Sequence, residues 1–302
     1  MRWMGMAAAA CAAACTGTAR GEVSAERLMH DVRILSDDAM AGRRIGSAGS
    51  AKARAYLFSR LRGLGLSPVE QPFVHRGKDG RVRGTNLLVT IPGTAAGDAV
   101  LVVGAHYDHL GTGRHGVFNG ADDNASGVAG LLALAEALRA RPLRHTVVLA
   151  FWDGEEPGYY GSQAFVDAPP LPLSRIRLNL NLDMISRSAA GELYAVGGRT
   201  TPALQPVLDA LAARAPVRLR FGHEGPSSEK EDDWTGESDH ASFGARGIPF
   251  VYFGVEDHPD YHRASDDADR IPVDFFRRSV ETIVDATYAF DAVLDTLPRE
   301  SR

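Results

Sequence analysis

VLVVGAHYDHLGTGRHGVFNGADDNASG, residues 100–127, decides the fold. An apolar run ends at His106-Tyr107-Asp108, a glycine-rich loop follows, and Asp122-Asp123-Asn124 closes it just before a new apolar run of helical period. Imidazole and carboxylates therefore gather where a buried strand leaves the core, the edge at which open α/β sheets bind ligands. On its own the stretch suggests a metal site, with His106 as an imidazole ligand and one Asp as a carboxylate ligand.

Working outward, Glu22–Ser36 has Leu28, Met29, Val32 and Leu35 at helical spacing. The stretch DDAMAGRR, Asp37–Arg44, breaks it, and a second helix spans Ser47–Leu64 beside Gly63 and Gly65. Pro68–His75 and Arg81–Ile91 read as an antiparallel edge hairpin turning at Lys78-Asp79-Gly80. Ala99–Ala105 is the central strand and Gly127–Ala140 a helix. Thr146–Trp152 is a strand buried on both faces, and a helix starts near Gly161. Further strands are expected at Arg175–Ile185, Glu192–Val196, Val217–Phe221 and Pro249–Phe253, and helices at Pro202–Arg214 and Phe275–Leu297. Gly222–Glu237 reads as a polar loop, and Ser238-Asp239-His240 as the cap of a short helix ending at Gly247. The alternation predicts an α/β fold: a mixed, mostly parallel central sheet with helices on both faces.

Four elements end in ligand-type residues: His106 and Asp108; Asp122 and Asp123; Glu155 and Glu156; and Asp183. The loop after the last strand adds His258 and His262. Imidazole with carboxylate suits zinc, with manganese or cobalt as substitutes. Both cysteines, Cys11 and Cys15, lie in the N-terminal stretch, so a cysteine-held structural zinc is excluded from the body.

Six strings, GAHYDH, NGADDNASG, WDGEEPGYYGSQAF, NLDM, SDHASF and HPDYH, stand in the order found in the bacterial secreted di-zinc aminopeptidases. The chain resembles that family over roughly Leu28–Leu297. Glutaminyl cyclases and glutamate-carboxypeptidase ectodomains are relatives of the same fold. The resemblance implies a zinc-exopeptidase-like domain over residues 20–302. His106 and Asp183 would hold one Zn2+, Glu156 and His262 a second, and Asp123 would bridge them. Glu155 would be the general base acting on a water shared by the ions, and Tyr261 would steady the oxyanion. Asp108, and also Asp239, would stand behind the ligands, Asp108 orienting His106. The Asp123–Asn124 peptide would be cis. The implied activity is release of N-terminal residues from peptides with a free N-terminus. Cyclisation of N-terminal glutamine, or binding without catalysis, are the alternatives on the same scaffold. Asp123, Glu156 and Asp183 bring about three negative charges, enough with a bridging hydroxide to leave two divalent ions near neutrality.

Plainer expectations hold for the remaining candidates. His258 precedes Pro259 and falls off the pattern. His109, His115, His145 and His223 are expected on the surface or in loops, Asp122 as a structural neighbour, and Arg43-Arg44 as exposed loop arginines. Gly127 and Gly130 would admit close helix packing. Of Tyr159, Tyr160, Phe243, Tyr252 and Phe253, most are expected to be core or loop aromatics rather than pocket lining.

Met1–Thr18 holds one arginine, an Ala/Met/Cys run and no acid, the pattern of an export signal over residues 1–19. Ala13-Ala14-Cys15 also matches a lipoprotein processing site, though Ala12 stands where Leu is usual. Soluble export to the periplasm or exterior, and a lipid anchor at Cys15, both stay open. A net charge of −5 gives no electrostatic case for nucleic acid.

Overall fold

The computed structural model describes residues 23–77, 80–225 and 233–298. The expected export signal with Cys11 and Cys15, residues 78–79 of the hairpin turn, and residues 226–232 of the acidic loop lie outside them. In chain order, helices α1 (Ala25–Leu35) and α2 (Ala48–Gly63) flank a turn over Asp38–Arg43. Strands β1 (Val69–Gly77), β2 (Gly80–Ile91) and β3 (Val100–His106) follow, then a small hairpin of β4 (Gly111–Gly113) and β5 (Gly116–Phe118). A turn over Ala121–Ser126 leads into α3 (Gly127–Ala140). After β6 (Thr146–Trp152) come α4 (Tyr160–Asp167), β7 (Ile176–Leu182), β8 (Glu192–Val196) and α5 (Gln205–Ala212). The chain closes with β9 (Arg218–Arg220), α6 (His240–Gly244), β10 (Phe250–Gly254) and α7 (Val273–Val293).

The main sheet has eight strands in the order β1-β2-β6-β3-β7-β10-β8-β9. Its centre, β6-β3-β7-β10, is parallel. The β1–β2 hairpin adds antiparallel to β6 on one side, and β8 adds antiparallel to β10 on the other. The mixed, mostly parallel sheet expected from the alternation is thus the observed one.

Alternating side chains of the central strands feed two cores, because successive residues of a strand face opposite ways. On β6, Val147, Leu149 and Phe151 join the larger core, while Val148, Ala150 and Trp152 join a smaller one with Phe165 of α4 and Phe243 of α6. Each of these large side chains, fully removed from water, stabilises the fold by roughly 1.5–3 kcal/mol. Gly104 of β3 makes room for the Trp152 indole: a Cβ there would lie 2.2 Å from Nε1. Alanine at 104 would drive the indole out.

Two features aim the sheet at its functional edge. All four parallel strands end on the same side, so His106, the last residue of β3, and Asp153, Asp183 and Val255, which follow β6, β7 and β10, lie at one rim. The start of α3 also presses onto the end of β7, where a Cβ on Gly127 would lie 2.5 Å from the Leu182 carbonyl oxygen. That contact brings the Asp123 turn beside Asp183.

Candidate metal centre

His106 is the last residue of β3 and is almost wholly buried. Its Nε2 lies 3.1 Å from Asp183 Oδ1 and 3.5 Å from Asp123 Oδ1. Across Asp123, the other oxygen, Oδ2, is 3.1 Å from His262 Nε2, and that nitrogen is 3.3 Å from Glu156 Oε2. The donor atoms thus form two groups that share Asp123, one carboxylate oxygen facing each. Around a tetrahedral ion with bonds near 2.0–2.1 Å, neighbouring donors sit roughly 3.3 Å apart. The spacings in both groups are close to that.

The turn carrying Asp123 is held from three sides. Asn124 donates through Nδ2 to the Leu182 carbonyl at 2.8 Å and accepts from the Gly127 N–H at 2.9 Å. The buried Asp266 carboxylate accepts from the backbone N–H groups of Asp122 and Asp123. Asp122 points away from the donor groups: Oδ1 accepts from the N–H and hydroxyl of Ser186, and Oδ2 meets His258 Nε2 at 3.1 Å. The Asp123–Asn124 peptide is cis. Three residues beside the donors, Tyr159, Met184 and His262 itself, adopt positive φ without being glycine. Such strain persists only where the surroundings impose it, and it concentrates at functional sites.

Glu155 lines the same cleft, which has a volume of about 300 Å³ and is also walled by Tyr159, Glu237 and Tyr261. The Glu155 backbone N–H donates to Asp108 Oδ1 at 3.0 Å. Among the described residues, no donor takes up its carboxylate. The Tyr261 ring stacks on His262 with centroids 3.9 Å apart.

The charge balance says what this arrangement lacks. Burial, reinforced by Asp183 and Asp239, pushes the Glu155 carboxyl well above its ordinary range, and burial raises Asp108 and lifts Asp239 to about 7. Burial would pull the His106 imidazole down, but Asp183 and Glu155 outweigh it and hold it up. In the same way Asp123 and Glu156 raise His262 to about 10 against its burial. Glu156 is buried too, yet His109 and His262 keep it below the usual carboxylate range. Protons are thus retained to neutralise a surplus of buried acid. Divalent cations suit such a donor set, since binding displaces those protons. His106, Asp123 and Asp183 could hold one ion, and Asp123 and Glu156 together with His262 or His109 another.

The profile of peptidase family M28 matches residues 86–287, which include all of these donors and Glu155. The chain belongs to peptidase family M28. Two relatives carry the likeness at the sequence level. Leucine aminopeptidase 2 of Trichophyton equinum is 32% identical over 155 residues, 50% of this chain and 29% of that protein. Leupeptin-inactivating enzyme 1 of Streptomyces exfoliatus is 31% identical over 209 residues, 68% of this chain and 42% of that protein. The chain therefore spans less than half the length of either. In fold it is similar to an aminopeptidase from Aneurinibacillus sp. strain AM-1, with a TM-score of 0.74 and 18% identity, covering 88% of this chain and 94% of that one. It is similar also to a glutaminyl cyclase from Porphyromonas gingivalis, with a TM-score of 0.73 and 20% identity, covering 88% and 98%.

Within this M28 chain several residues depart from expectation. His109, expected on the surface or in a loop, is in a loop but buried, and its Nδ1 lies 2.5 Å from Glu156 Oε1. Arg43, expected exposed, is also buried. Its guanidinium donates to the carbonyls of Leu35, Tyr107, Asn119 and Gly120, and burial draws its pKa down to about 10. His145 and His223 lie in loops, as expected, but neither is at the surface: His145 is buried between Asp291 and Asp295, and His223 is buried and stacked on Trp234. Asp108 faces His106 Nδ1 with its backbone carbonyl at 3.2 Å, while its carboxylate stands 3.8 Å away and serves the Glu155 N–H instead. Asp239 makes no side-chain cap for α6. It is Ser238 whose hydroxyl donates to Asp183 Oδ2 at 2.7 Å. Of the aromatic candidates, Tyr159 lines the cleft, Phe243 and Phe253 lie in the cores, and Tyr160 stacks on His75. Tyr252 is packed under Trp234 and His240.

Proposed function

We propose that this chain is a metal-dependent aminopeptidase that hydrolyses the first peptide bond of substrates with a free N-terminus. The reading rests on one observation: Asp123 turns one carboxylate oxygen toward His106 and the other toward His262, with Glu155 beside both groups and committed to neither. His106 and Asp183 would hold one Zn2+, Glu156 and His262 the other, and Asp123 both. Mn2+ or Co2+ would serve as substitutes. When bound, the pair would supply Lewis acidity and lower the pKa of water toward neutrality.

The protein's own groups do the rest. Glu155 takes a proton from the water that attacks the scissile carbonyl carbon and delivers it to the leaving amine nitrogen. Tyr261 directs its phenol toward the carbonyl oxygen as negative charge grows there. Asp108 fixes the backbone at Glu155, and its carbonyl fixes the His106 ring. Glu237 is an acidic side chain of the cleft wall outside the donor groups, and it suits the substrate's N-terminal ammonium.

Hydrolysis of aminoacyl nitroanilides, and of their N-acetylated forms, tests the reading. Activity that needs the free amine, falls on exhaustive chelation and returns with Zn2+ is the expected result. Turnover untouched by chelation, or equal turnover of the acetylated substrates, would defeat it. The glutaminyl-cyclase reading is favoured by the structural likeness to such enzymes. Cyclisation of glutaminyl peptides without hydrolysis of other peptides would establish it. A chain that binds metal and peptide but turns over neither would be a binding module. The expected setting is outside the cytoplasm, free or anchored through Cys15. Mass analysis of the mature N-terminus from the native host tests that, and an unprocessed Met1 would refute it. Among the described residues no helix is long and apolar enough to cross a membrane.

A further inference from the structure

The loop between β3 and the Asp123 turn carries an imidazole for which the proposed reaction has no role. His109 is buried, and its Nδ1 touches Glu156 Oε1 at 2.5 Å while standing 3.7 Å from Asp123 Oδ2. The other oxygen of the same carboxylate, Oε2, faces His262. The remaining nitrogen of the His109 ring, Nε2, is buried with no partner among the described residues, so Nδ1 is the ring's one polar contact. The ring's position is fixed by the backbone: a Cβ on Gly120 would lie 2.5 Å from the imidazole Cδ2. Gly120 is in turn tied down through its carbonyl by Arg43 Nη2 at 2.9 Å.

From these contacts we infer that His109 is a positioning residue for Glu156, engaging Oε1 so that the carboxylate offers a single oxygen, Oε2, to the second ion. The inference rests on the reading of Glu156 as a ligand. Two donors on one ion stand roughly 3.3 Å apart, whereas the His109–Glu156 contact is that of donor and acceptor. A carboxylate restricted to one oxygen leaves a coordination position open, as a catalytic site requires and a closed structural site does not. Partners that orient a ligand in this way typically govern metal affinity 10–100-fold.

The test is metal binding, not turnover. The metal-free full-length protein is titrated with Zn2+ against a chromophoric chelator, and separately with Co2+ while its visible absorption is recorded. Wild type is expected to take up two equivalents. H109A is expected to keep two equivalents but to bind one of them about 10–100-fold more weakly. Its Co2+ absorption should weaken at that site as Glu156 swings to two-oxygen binding. H109N, whose amide N–H can occupy the place of Nδ1–H, should recover most of the affinity and the wild-type spectrum. It also serves as the folded control if H109A does not fold. Wild-type affinity at both sites in H109A, or no recovery in a folded H109N, would overturn the inference. So would the loss of a whole equivalent at saturating metal, which would make His109 a ligand itself. A wild-type chain that takes up fewer than two equivalents would instead overturn the reading of the centre on which this inference depends.

Discussion

The two donor groups that meet at Asp123 are built differently. The His106–Asp183 group sits on strand ends: His106 closes β3, Asp183 follows β7, and the His106 side chain is 1% exposed. The Glu156–His262 group hangs on loops, and the His262 side chain is 39% exposed. Parallel strands fix the first group by their own ladder. The second is positioned by contacts outside the sheet: His109 on Glu156, and the Arg43 guanidinium bracing the loop that carries His109. A site can thus be rigid on one side through secondary structure and on the other only through buried polar contacts that a single substitution removes.

The comparison breaks first at the residue outside both groups. If Glu155 is the base, E155Q lowers kcat by roughly 10²–10⁴-fold while metal content, read by elemental analysis, stays at the wild-type value. Retained turnover, or lost metal, would assign Glu155 elsewhere. Metal stoichiometry then separates the groups themselves. H106A should lose an ion from the strand-built group and H262A one from the loop-built group. D123N should weaken both, because Asp123 faces each. Equal losses in H106A and D123N would mean that Asp123 is not shared.

Arg43 tests whether the loop side depends on buried polar contacts. R43M leaves the carbonyls of Leu35, Tyr107 and Asn119 without their donor, while Gly120 keeps the Ala125 N–H. Each unsatisfied group costs roughly 1–3 kcal/mol, so a loss of about 3 kcal/mol or more is expected from urea midpoints. R43K keeps a charge but lacks the planar fork and should fall between. An R43M variant as stable as wild type would show that water replaces the guanidinium.

The strand side was the legible one. β3, β6 and β7 are short apolar runs that end at His106, Asp153 and Asp183, so burial and termination are both written in the chain. The loop side left weaker marks. HLGTGRHG, residues 109–116, has no period, and nothing in it separates a buried His109 from the exposed His115. Arg43 is satisfied wholly by backbone carbonyls, which carry no side-chain signature. Ser238 stands before Asp-His and reads as part of a helix cap, yet its hydroxyl donates to Asp183, and α6 begins without a side-chain cap. In each case the missing information is which backbone oxygen or carboxylate a distant segment brings near.

Acid should find a weakness on the strand side. His240 follows Ser238 and Asp239 and packs on Phe250 and Tyr252, and burial draws its pKa from 6.5 down to about 4. Between those values the unfolded chain holds the extra proton, so stability rises with pH there and is lost as pH falls from about 6.5 toward 4. The shift corresponds to about 3 kcal/mol. Metal-free wild type should lose more stability by that amount than metal-free H240Q when both are denatured at pH 7 and at pH 4. Parallel losses would place the acid sensitivity in other groups.

The smallest effect is expected at the cleft wall. Glu237 is exposed, and no cation pairs with it among the described residues. It contributes to neither donor group, so its removal should leave metal affinity untouched. A solvent-screened carboxylate meeting an ammonium contributes about 1 kcal/mol. E237Q should therefore raise KM for peptides with a free N-terminus about 5-fold at low salt, with kcat little changed, and the difference should shrink as salt is added. A fall in kcat at constant KM would mean that Glu237 acts in the transition state, not on the bound amine. An unchanged KM would leave recognition of the amine to the buried acids around Asp123, binding substrate and metal at the same carboxylates.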